Sequence, residues 1–264
     1  MSPPLADGRF DTWMHDLERR HATAFEFREL TRALRALSSA YVERRARLPR
    51  SGALDSAGKR AAFALYYAPL HFMLVAEVVR ALGATERPVP SVLDLGCGTG
   101  AAGAAWAASL EPPASVTGID RHPWALDEAS RTYRTFNLRS HIVRGHASDM
   151  RLPPPGSGVV AAFVANELRE DARDRLLFQL MTAAERGVAV LVVEPIARSV
   201  TPWWQTWSPA FTQREGRDDD WRLPVALPPL VAKLDRAAGL SHDALTARTL
   251  WIPPRRQAGQ SRNR

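Results

Sequence analysis

The chain has 264 residues, of which 45% are hydrophobic, as expected for one large globular domain or for one domain with an extension. Its single cysteine, Cys97, excludes an internal disulfide framework and a cysteine-based metal site, so we expect no bound metal and a reducing, cytoplasmic location. We find neither a run of about 18 apolar residues nor a signal-peptide layout, and we therefore expect no membrane partner.

The formal net charge of +7 makes RNA one candidate partner. The basic residues are nearly all arginines, and together with abundant alanine, proline and glycine they are typical of a GC-rich genome. Some of them form two clusters, from Arg44 to Arg50 and from Arg255 to Arg264. These clusters either contact RNA phosphates or form a solvated basic face.

Two helices are predicted before the first strand, at 10–47 and at 61–82, joined by a loop at 48–58. We assign residues 1–86 to an N-terminal helical extension. Its second helix is the more apolar of the two, and it is predicted to pack on a sheet.

The most informative segment runs from Val92 to Gly100. A short apolar stretch, an acidic residue and a glycine-rich turn stand directly before a helix-forming segment at 101–110. Glycines allow a sharp turn and a close approach of the backbone to a ligand, and the helix N-terminus presents unpaired N–H groups there. The segment resembles motif I of the class I S-adenosylmethionine-dependent methyltransferases through the letters DLGCGTG.

That resemblance implies that the loop holds the methionine part of S-adenosylmethionine, with Asp94 close to its ammonium group. The loop residues assigned to the cofactor are Gly96, Cys97, Gly98 and Gly100. The same segment fits the dinucleotide pattern G-x-G-x-x-A from Gly96 to Ala101, so an NAD-binding loop is the alternative. We favour S-adenosylmethionine, because a carboxylate at Asp94 suits a cationic amino acid better than a pyrophosphate.

A second buried strand is predicted at 114–119, and Asp120 follows it at the spacing expected for a carboxylate that binds ribose hydroxyls. Arg121 is assigned to the cofactor site beside it. The alternative is that Asp120 only caps the helix predicted from Pro123 to Tyr133.

The third predicted strand, at 140–143, is followed by a loop that ends at Met150. The family resemblance implies that Asp149 binds the adenine amino group and that Met150 packs against the ring. An ordinary polar loop is the alternative. His146 belongs to the same loop and is a candidate for contact with cofactor or substrate, and also for catalysis.

Apolar runs at 158–164 and 188–193 predict the fourth and fifth strands. Polar residues just past parallel strands lie at the carboxyl edge of a sheet, where ligands bind in open α/β folds. The further catalytic candidates are therefore Asn166, Glu167 and Glu194. Asn166 is also assigned to the cofactor site, and its alternative role is to cap a helix predicted at 168–186.

After the fifth strand, the segment 198–221 is too long for a simple connection and carries Trp203, Trp204 and Trp207. These tryptophans either form a cover over the substrate side of the pocket or fill gaps between helices. A closing strand pair is predicted within 245–252. The alternation of strands and helices then predicts an α/β fold: a doubly wound, mostly parallel, seven-stranded Rossmann-like methyltransferase sheet with an N-terminal helical extension.

Residues 87–254 are assigned to an S-adenosylmethionine-binding methyltransferase domain and 255–264 to a basic disordered tail. In the class I family an N-terminal segment often covers the cofactor, which implies a lid role for Tyr66, Tyr67 and His71. Core packing is the alternative for these three residues.

A second resemblance is to the ribosomal small-subunit methyltransferase-like family. It rests on the stretches Tyr66 to Pro69 and Val192 to Pro195. Members of that family often hold an iron–sulfur cluster on several cysteines, and a chain with one cysteine does not imply that cluster.

The sequence thus predicts an S-adenosylmethionine-dependent methyltransferase, with RNA, the ribosome or a small molecule as the methyl acceptor. Methyl transfer from a sulfonium depends mainly on alignment and desolvation, and it needs a base only where the nucleophile is protonated. Two alternatives remain open: a non-catalytic S-adenosylmethionine-binding factor associated with RNA or the ribosome, and an NAD(P)-dependent oxidoreductase. The oligomeric state is left open.

Overall fold

The computed structural model describes residues 8–43 and 54–255. The predicted basic cluster at 44–50 lies outside these residues. The predicted basic tail also lies outside them, apart from the exposed Arg255.

The N-terminal extension is helical, as predicted, but its elements are divided differently. Helix α1 (Arg9–Leu17) continues into a π-helical turn, and helix α2 (Phe27–Glu43) follows after a break. The prediction of one helix over 10–47 is therefore wrong. The break is at residues 23–26, where the chain leaves α1 and turns.

The second helical run is continuous from Ala57 to Ala81 and contains α3 (Ala57–Ala62), a π-helical segment (Phe63–Tyr67) and α4 (Ala68–Ala81). It is long and apolar enough to cross a membrane by length and composition, contrary to our expectation from the sequence. However, 83% of its apolar window is buried inside the protein. Its hydropathy is thus accounted for by packing in the core, where α4 lies against the helix that follows the first strand.

Within the described residues the strands form one seven-stranded sheet in the order β3-β2-β1-β4-β5-β7-β6. The strands are β1 (Ser91–Leu95), β2 (Ser115–Asp120), β3 (Ser140–Arg144), β4 (Gly158–Ala162), β5 (Ala189–Glu194), β6 (Arg217–Pro224) and β7 (Ala244–Ile252). The first five are parallel, while β7 is antiparallel to both of its neighbours. The predicted doubly wound, mostly parallel sheet is confirmed.

The helices that join the strands are α5 (Ala101–Ala108), α6 (Pro123–Thr135), α7 (Glu170–Glu185), α8 (Trp204–Thr212) and α9 (Pro229–Ala238). They cover both faces of the sheet and produce two hydrophobic clusters. One cluster joins α5, α6 and the N-terminal helices to the sheet, and the other joins α7 and α8 to it.

The closing strands differ from the prediction. Residues 244–252 form a single strand, β7. Its partner β6 lies within and just after the segment 198–221, which the sequence indicates is too long for a simple connection. β6 pairs with β7 from Arg217↔Trp251 to Pro224↔Ala244 and is the edge of the sheet. Its three consecutive aspartates give it no apolar run, so only its pairing with β7 identifies it as a strand.

The three tryptophans after β5 are core residues. Trp203, Trp204 and Trp207 are all buried, and the ring centroid of Trp203 lies 5.5 Å from that of Trp204 and 4.6 Å from that of Trp207. Trp204 also donates its Nε1–H to Asp218 of β6 and lies 4.1 Å under the Arg248 guanidinium. The interpretation of this segment as a cover over the substrate is therefore wrong, whereas the gap-filling alternative holds.

Candidate active site

A cavity of about 950 Å³ opens at the carboxyl edge of the parallel strands. The loops after β1 to β5 form its floor, and residues 63–74 of the long N-terminal helix form the opposite wall. A third side comes from residues 240–246, between α9 and the start of β7. The fold therefore brings three distant parts of the chain to one site.

The glycine-rich loop after β1 has the tight geometry that the sequence predicts. Gly96 has φ +63°, and a Cβ on it would lie 2.3 Å from Val164 Cγ2. Gly98 has φ +52° and faces open space, so its backbone is accessible from the cavity. Gly100, with φ +79°, does not line the cavity and instead begins α5, where a Cβ would meet the backbone of Ala129 at 2.9 Å.

Asp94 is buried at the end of β1 and lines the cavity. Its Oδ2 accepts hydrogen bonds from Gly103 N at 2.9 Å and from Tyr133 Oη at 3.0 Å. Burial raises the pKa of Asp94 to about 7, although these two hydrogen bonds oppose the shift. A cation in the cavity would favour the ionised form of this carboxyl.

Asp120 fastens the glycine loop to the end of β2. Its Oδ2 accepts from Gly98 N at 3.0 Å, and its Oδ1 accepts from His122 N at 2.8 Å. The cap position of α6 is occupied by His122, not by Asp120, so the helix-cap alternative is wrong. Arg121 is exposed and lines the cavity beside Asp120.

Cys97 lies within the loop but is buried. Its backbone N–H donates to Ile119 O at 2.9 Å, which ties the loop to β2. Burial raises the pKa of its thiol well above the ordinary value, so the side chain is a neutral part of the wall and not a nucleophile.

The loop after β3 contributes different residues from those predicted. Asp149 is exposed and Met150 is buried in the core, and neither lines the cavity. His146 and Ala147 line it instead. His146 Nδ1 lies 2.7 Å from Ser148 Oγ, which holds the ring at the cavity wall.

Beyond β4 the chain adopts an uncommon backbone. Phe163 has φ +59°, a left-handed conformation that is costly for a bulky side chain, and it ends the strand two residues earlier than predicted. Its ring stacks on His71 with centroids 4.1 Å apart. Burial lowers the pKa of His71 to about 3, so this imidazole is neutral and forms part of an aromatic wall.

Asn166 faces the same cavity with a fixed orientation. Trp203 Nε1 donates to its Oδ1 at 2.7 Å, and because an indole nitrogen only donates, the amide nitrogen must be on the opposite side. That Nδ2 is buried and has no hydrogen-bond partner among the described residues. Asn166 does not cap α7, whose cap is Arg169, so its cap alternative is wrong.

The two glutamates predicted for the catalytic end differ in environment. Glu194 is fully buried, and its Oε1 accepts from Ala165 N at 2.8 Å and from Asn166 N at 3.3 Å. It therefore holds the turn after β4. Glu167 is exposed at the rim of the cavity.

Sequence reasoning missed a polar cluster on the third side of the cavity. Tyr66 Oη donates to Asp235 Oδ1, and His242 Nδ1 lies 2.6 Å from the same oxygen. Tyr66 and His242 both line the cavity. These residues are 169 and 176 positions apart along the chain, so no local pattern joins them.

The cavity lining is acidic. It includes four carboxyl groups and two guanidinium groups, from Asp94, Asp120, Glu167, Glu194, Arg121 and Arg173. Within residues 8–43 and 54–255 no group of three or more His, Cys, Asp or Glu side chains is arranged to hold a metal ion.

Comparison with known families gives one match. Residues 92–187, from β1 to just before β5, match the family model of a methyltransferase domain. No curated protein sequence matches the chain.

Solved structures resemble the fold at low sequence identity. The plantazolicin methyltransferase BpumL, in complex with SAH, is 15% identical with a TM-score of 0.50, over 87% of this chain and 98% of that chain. The methyltransferase domain of bacterial CtHen1 is 15% identical with a TM-score of 0.48, over 70% of this chain and 100% of that chain. The magnesium protoporphyrin IX methyltransferase from Synechocystis PCC 6803, with bound SAM, is 14% identical with a TM-score of 0.46, over 69% of this chain and 78% of that chain.

The match identifies residues 92–187 as a methyltransferase domain and supports enzymatic methyl transfer. The fold resembles that of a solved methyltransferase. The residues of the site fit S-adenosylmethionine: the open space beside Gly98 admits a ligand against the backbone, the carboxyl of Asp94 suits a cationic amino acid, and the carboxyl of Asp120 suits ribose hydroxyls.

Proposed function

We propose that this enzyme methylates an O–H or N–H group of a small, flat acceptor that carries no phosphate. The observation that carries this proposal is the composition of the cavity. The end of the cavity beyond β4 and β5 is lined by the rings of Tyr66, Tyr67, His71 and Phe163. The charged side chains that line the cavity are predominantly acidic. Flat aromatic molecules stack on such rings, while phosphates are repelled by carboxylates.

The cofactor would occupy the side of the cavity at β1, β2 and β3. In this proposal the backbone of the loop at Gly96 and Gly98 contacts the methionine part, with Asp94 as the counter-charge to its ammonium group. Asp120 accepts hydrogen bonds from the ribose, since each of its oxygens already holds one backbone N–H and has a second lone pair. His146 and Ala147 take the place at the adenine that the sequence assigned to Asp149 and Met150.

The acceptor would lie beyond β4 and β5. Asn166 Nδ2 is a buried donor aimed away from Trp203, and a hydrogen bond from it to an oxygen of the acceptor would remove the cost of leaving it unsatisfied. The stacked pair of Phe163 and His71 would hold the acceptor ring and exclude water. Because His71 is neutral, it does not repel the sulfonium.

Bound S-adenosylmethionine supplies an electrophilic methyl group on a positively charged sulfur. The contribution of the protein is to align the acceptor with that methyl group and to keep water out, which together supply most of the rate enhancement in such transfers. The buried Glu194 keeps the turn of Ala165 and Asn166 rigid and does not contact the acceptor in this scheme.

The test uses S-adenosylmethionine labelled in its methyl group and a whole extract of the source cells. After incubation the extract is separated into small molecules, RNA and protein. We expect label in the small-molecule fraction. Label confined to RNA would contradict this proposal and would restore the RNA alternative, with the basic residues at 44–50 and beyond 255 as its contact surface.

A second measurement separates catalysis from binding alone. Calorimetry should detect binding of S-adenosylmethionine and of S-adenosylhomocysteine but no binding of NAD. Cofactor binding with no label transferred to any fraction would instead favour a non-catalytic binding factor.

A further inference from the structure

Tyr66, Asp235 and His242 form a hydrogen-bonded unit that the methyl-transfer scheme above does not use. Asp235 is buried on α9, and its two oxygens hold His242 at both the backbone and the ring: Oδ2 accepts from His242 N at 3.0 Å, and Oδ1 lies 2.6 Å from Nδ1. Tyr66, fully buried on the π-helical segment, donates to the same Oδ1. The ring of His242 is therefore fixed from two sides.

These contacts determine which nitrogen of His242 is protonated. Although burial acts against it, hydrogen bonds from Tyr66 and His242 hold the pKa of Asp235 below its usual value, so this carboxylate only accepts. Nδ1 must then be the donor, and a neutral imidazole with a proton on Nδ1 has a lone pair on Nε2. Among the described residues no hydrogen bond to Nε2 is found.

The unit lies on the acceptor side of the cavity. Glu194 at the end of β5 pairs with Arg248, so residues 244–247 at the start of β7 extend past the carboxyl end of β5. His242 precedes that extension and lines the cavity together with Leu245 and Thr246. In the sheet order, β4, β5 and β7 are neighbours, whereas the cofactor loops follow β1, β2 and β3.

We propose that His242 is the general base of the reaction and that Asp235 and Tyr66 are its positioning residues. This inference rests on the proposed function, since it requires an acceptor with an ionisable proton in the far half of the cavity. The candidates for this role from the sequence are Glu167, Glu194 and His146. Glu194 is engaged with two backbone N–H groups, and His146 belongs to the cofactor side.

The acceptor O–H or N–H gives its proton to His242 Nε2, a bond forms between that oxygen or nitrogen and the methyl carbon, and the bond from that carbon to sulfur breaks. The positive charge of the sulfonium ends on the imidazolium of His242. Asp235 stabilises that charge through Nδ1, and solvent at the partly exposed ring removes the proton afterwards.

In the rival, structural explanation, the unit serves only to hold the turn between α9 and β7. His242→Asn separates the two roles, because the amide nitrogen of asparagine can replace Nδ1 as the donor to Asp235 while nothing replaces Nε2. The matched control is His141→Asn, an exposed histidine on β3 outside the cavity.

The probe is methyl-labelled S-adenosylmethionine with the small-molecule fraction that the wild type labels. We expect kcat of His242→Asn to fall at least about 100-fold, as for loss of a general base, with an unchanged melting temperature and an unchanged affinity for S-adenosylhomocysteine. The acidic limb of the pH–activity profile should also move to higher pH, because the acceptor must then ionise on its own. His141→Asn should behave as the wild type does.

A wild-type rate and pH profile in His242→Asn would overturn the base assignment. No labelling by the wild-type enzyme would instead overturn the proposed function, and this inference with it. Nitrogen NMR of the ligand-free protein gives a second readout, independent of turnover. We expect the proton of His242 on Nδ1 in the wild type and a shift toward Nε2 in Asp235→Asn, while a proton on Nε2 in the wild type would contradict the proposal.

Discussion

The backbone N–H of Gly98 donates to Oδ2 of Asp120 across 3.0 Å, and this bond joins the glycine loop after β1 to the end of β2. The two motifs that carry the cofactor assignment are therefore one mechanical unit. Oδ1 of the same carboxylate accepts a hydrogen bond from His122 N. Asp120 therefore links the glycine loop, the end of β2 and the start of α6.

We expect Asp120→Ala to weaken S-adenosylhomocysteine binding roughly 10- to 100-fold, because each hydrogen bond to a charged group contributes about 1.5–3 kcal/mol. Calorimetry measures this change. The matched control is Asp127→Ala, an exposed aspartate on α6, which should leave the affinity unchanged. An unaltered affinity in Asp120→Ala would limit this residue to fastening the loop.

Cofactor affinity should depend on pH through Asp94. Its carboxyl has a pKa of about 7 in the folded protein without ligand, and a cationic ligand stabilises its ionised form. Between pH 6 and pH 8 we therefore expect the affinity for S-adenosylmethionine to rise about tenfold, with release of up to one proton. Calorimetry in buffers of different ionisation enthalpy measures both quantities, and Asp94→Asn should remove the contribution.

The same shift gives the opposite trend for the stability of the ligand-free protein. The pKa of Asp94 is raised from 3.8 to about 7 on folding, so its contribution to stability is full below about pH 4 and is lost as the pH rises through 7. Chemical denaturation at pH 5 and pH 8 should show this loss in the wild type and a smaller one in Asp94→Asn. An equal pH dependence in both proteins would contradict the assignment.

Trp204 should behave as a core residue. Its side chain is 2% exposed, donates to Asp218 and stacks under Arg248, so we expect Trp204→Ala to reduce the free energy of unfolding by about 3–5 kcal/mol. Phe178→Ala is the control, because that ring is 74% exposed and its loss should cost almost nothing. A stable Trp204→Ala whose parent shows fluorescence changes on ligand binding would revive the cover interpretation.

Trp203 should affect catalysis through Asn166. Trp203→Phe keeps most of the packing but removes the Nε1–H that fixes the Asn166 amide. We expect a roughly 2- to 10-fold loss of kcat/KM for the acceptor, the net value of one hydrogen bond, with unchanged cofactor affinity. Trp221→Phe offers a matched control, since the Nε1–H of Trp221 donates to Thr249 on the far strands of the sheet. Equal losses of kcat/KM in both variants would argue for a general packing effect.

Much of the fold could be predicted because its signals are local. The five parallel strands are short apolar runs between turn-forming residues, and they occur within two residues of their predicted positions at both ends. The loop at Gly96 and Asp120 at the end of β2 could be assigned for the same reason. Their positions at the carboxyl ends of β1 and β2 follow from residue type and spacing along the chain.

The strand β6 and the tryptophan cluster could not be predicted in this way. β6 is a polar edge strand whose identity depends on pairing with β7, and the loop after β3 presents His146 and not Asp149 because the backbone turns Asp149 to the surface. For β6 and for the tryptophan cluster the deciding interactions are with segments elsewhere in the chain.

By itself the sequence determined the glycine turn and the two carboxylates Asp94 and Asp120, because they belong to a single β-α-β unit. Only the tertiary structure decided the third side of the cavity. Tyr66, Asp235 and His242 come from the N-terminal helix, from α9 and from the turn before β7, and they meet because those elements pack over the same edge of the sheet. The hydrogen bond between Tyr66 and Asp235 joins residues 169 positions apart. It depends on packing, and no periodic pattern in the sequence predicts it.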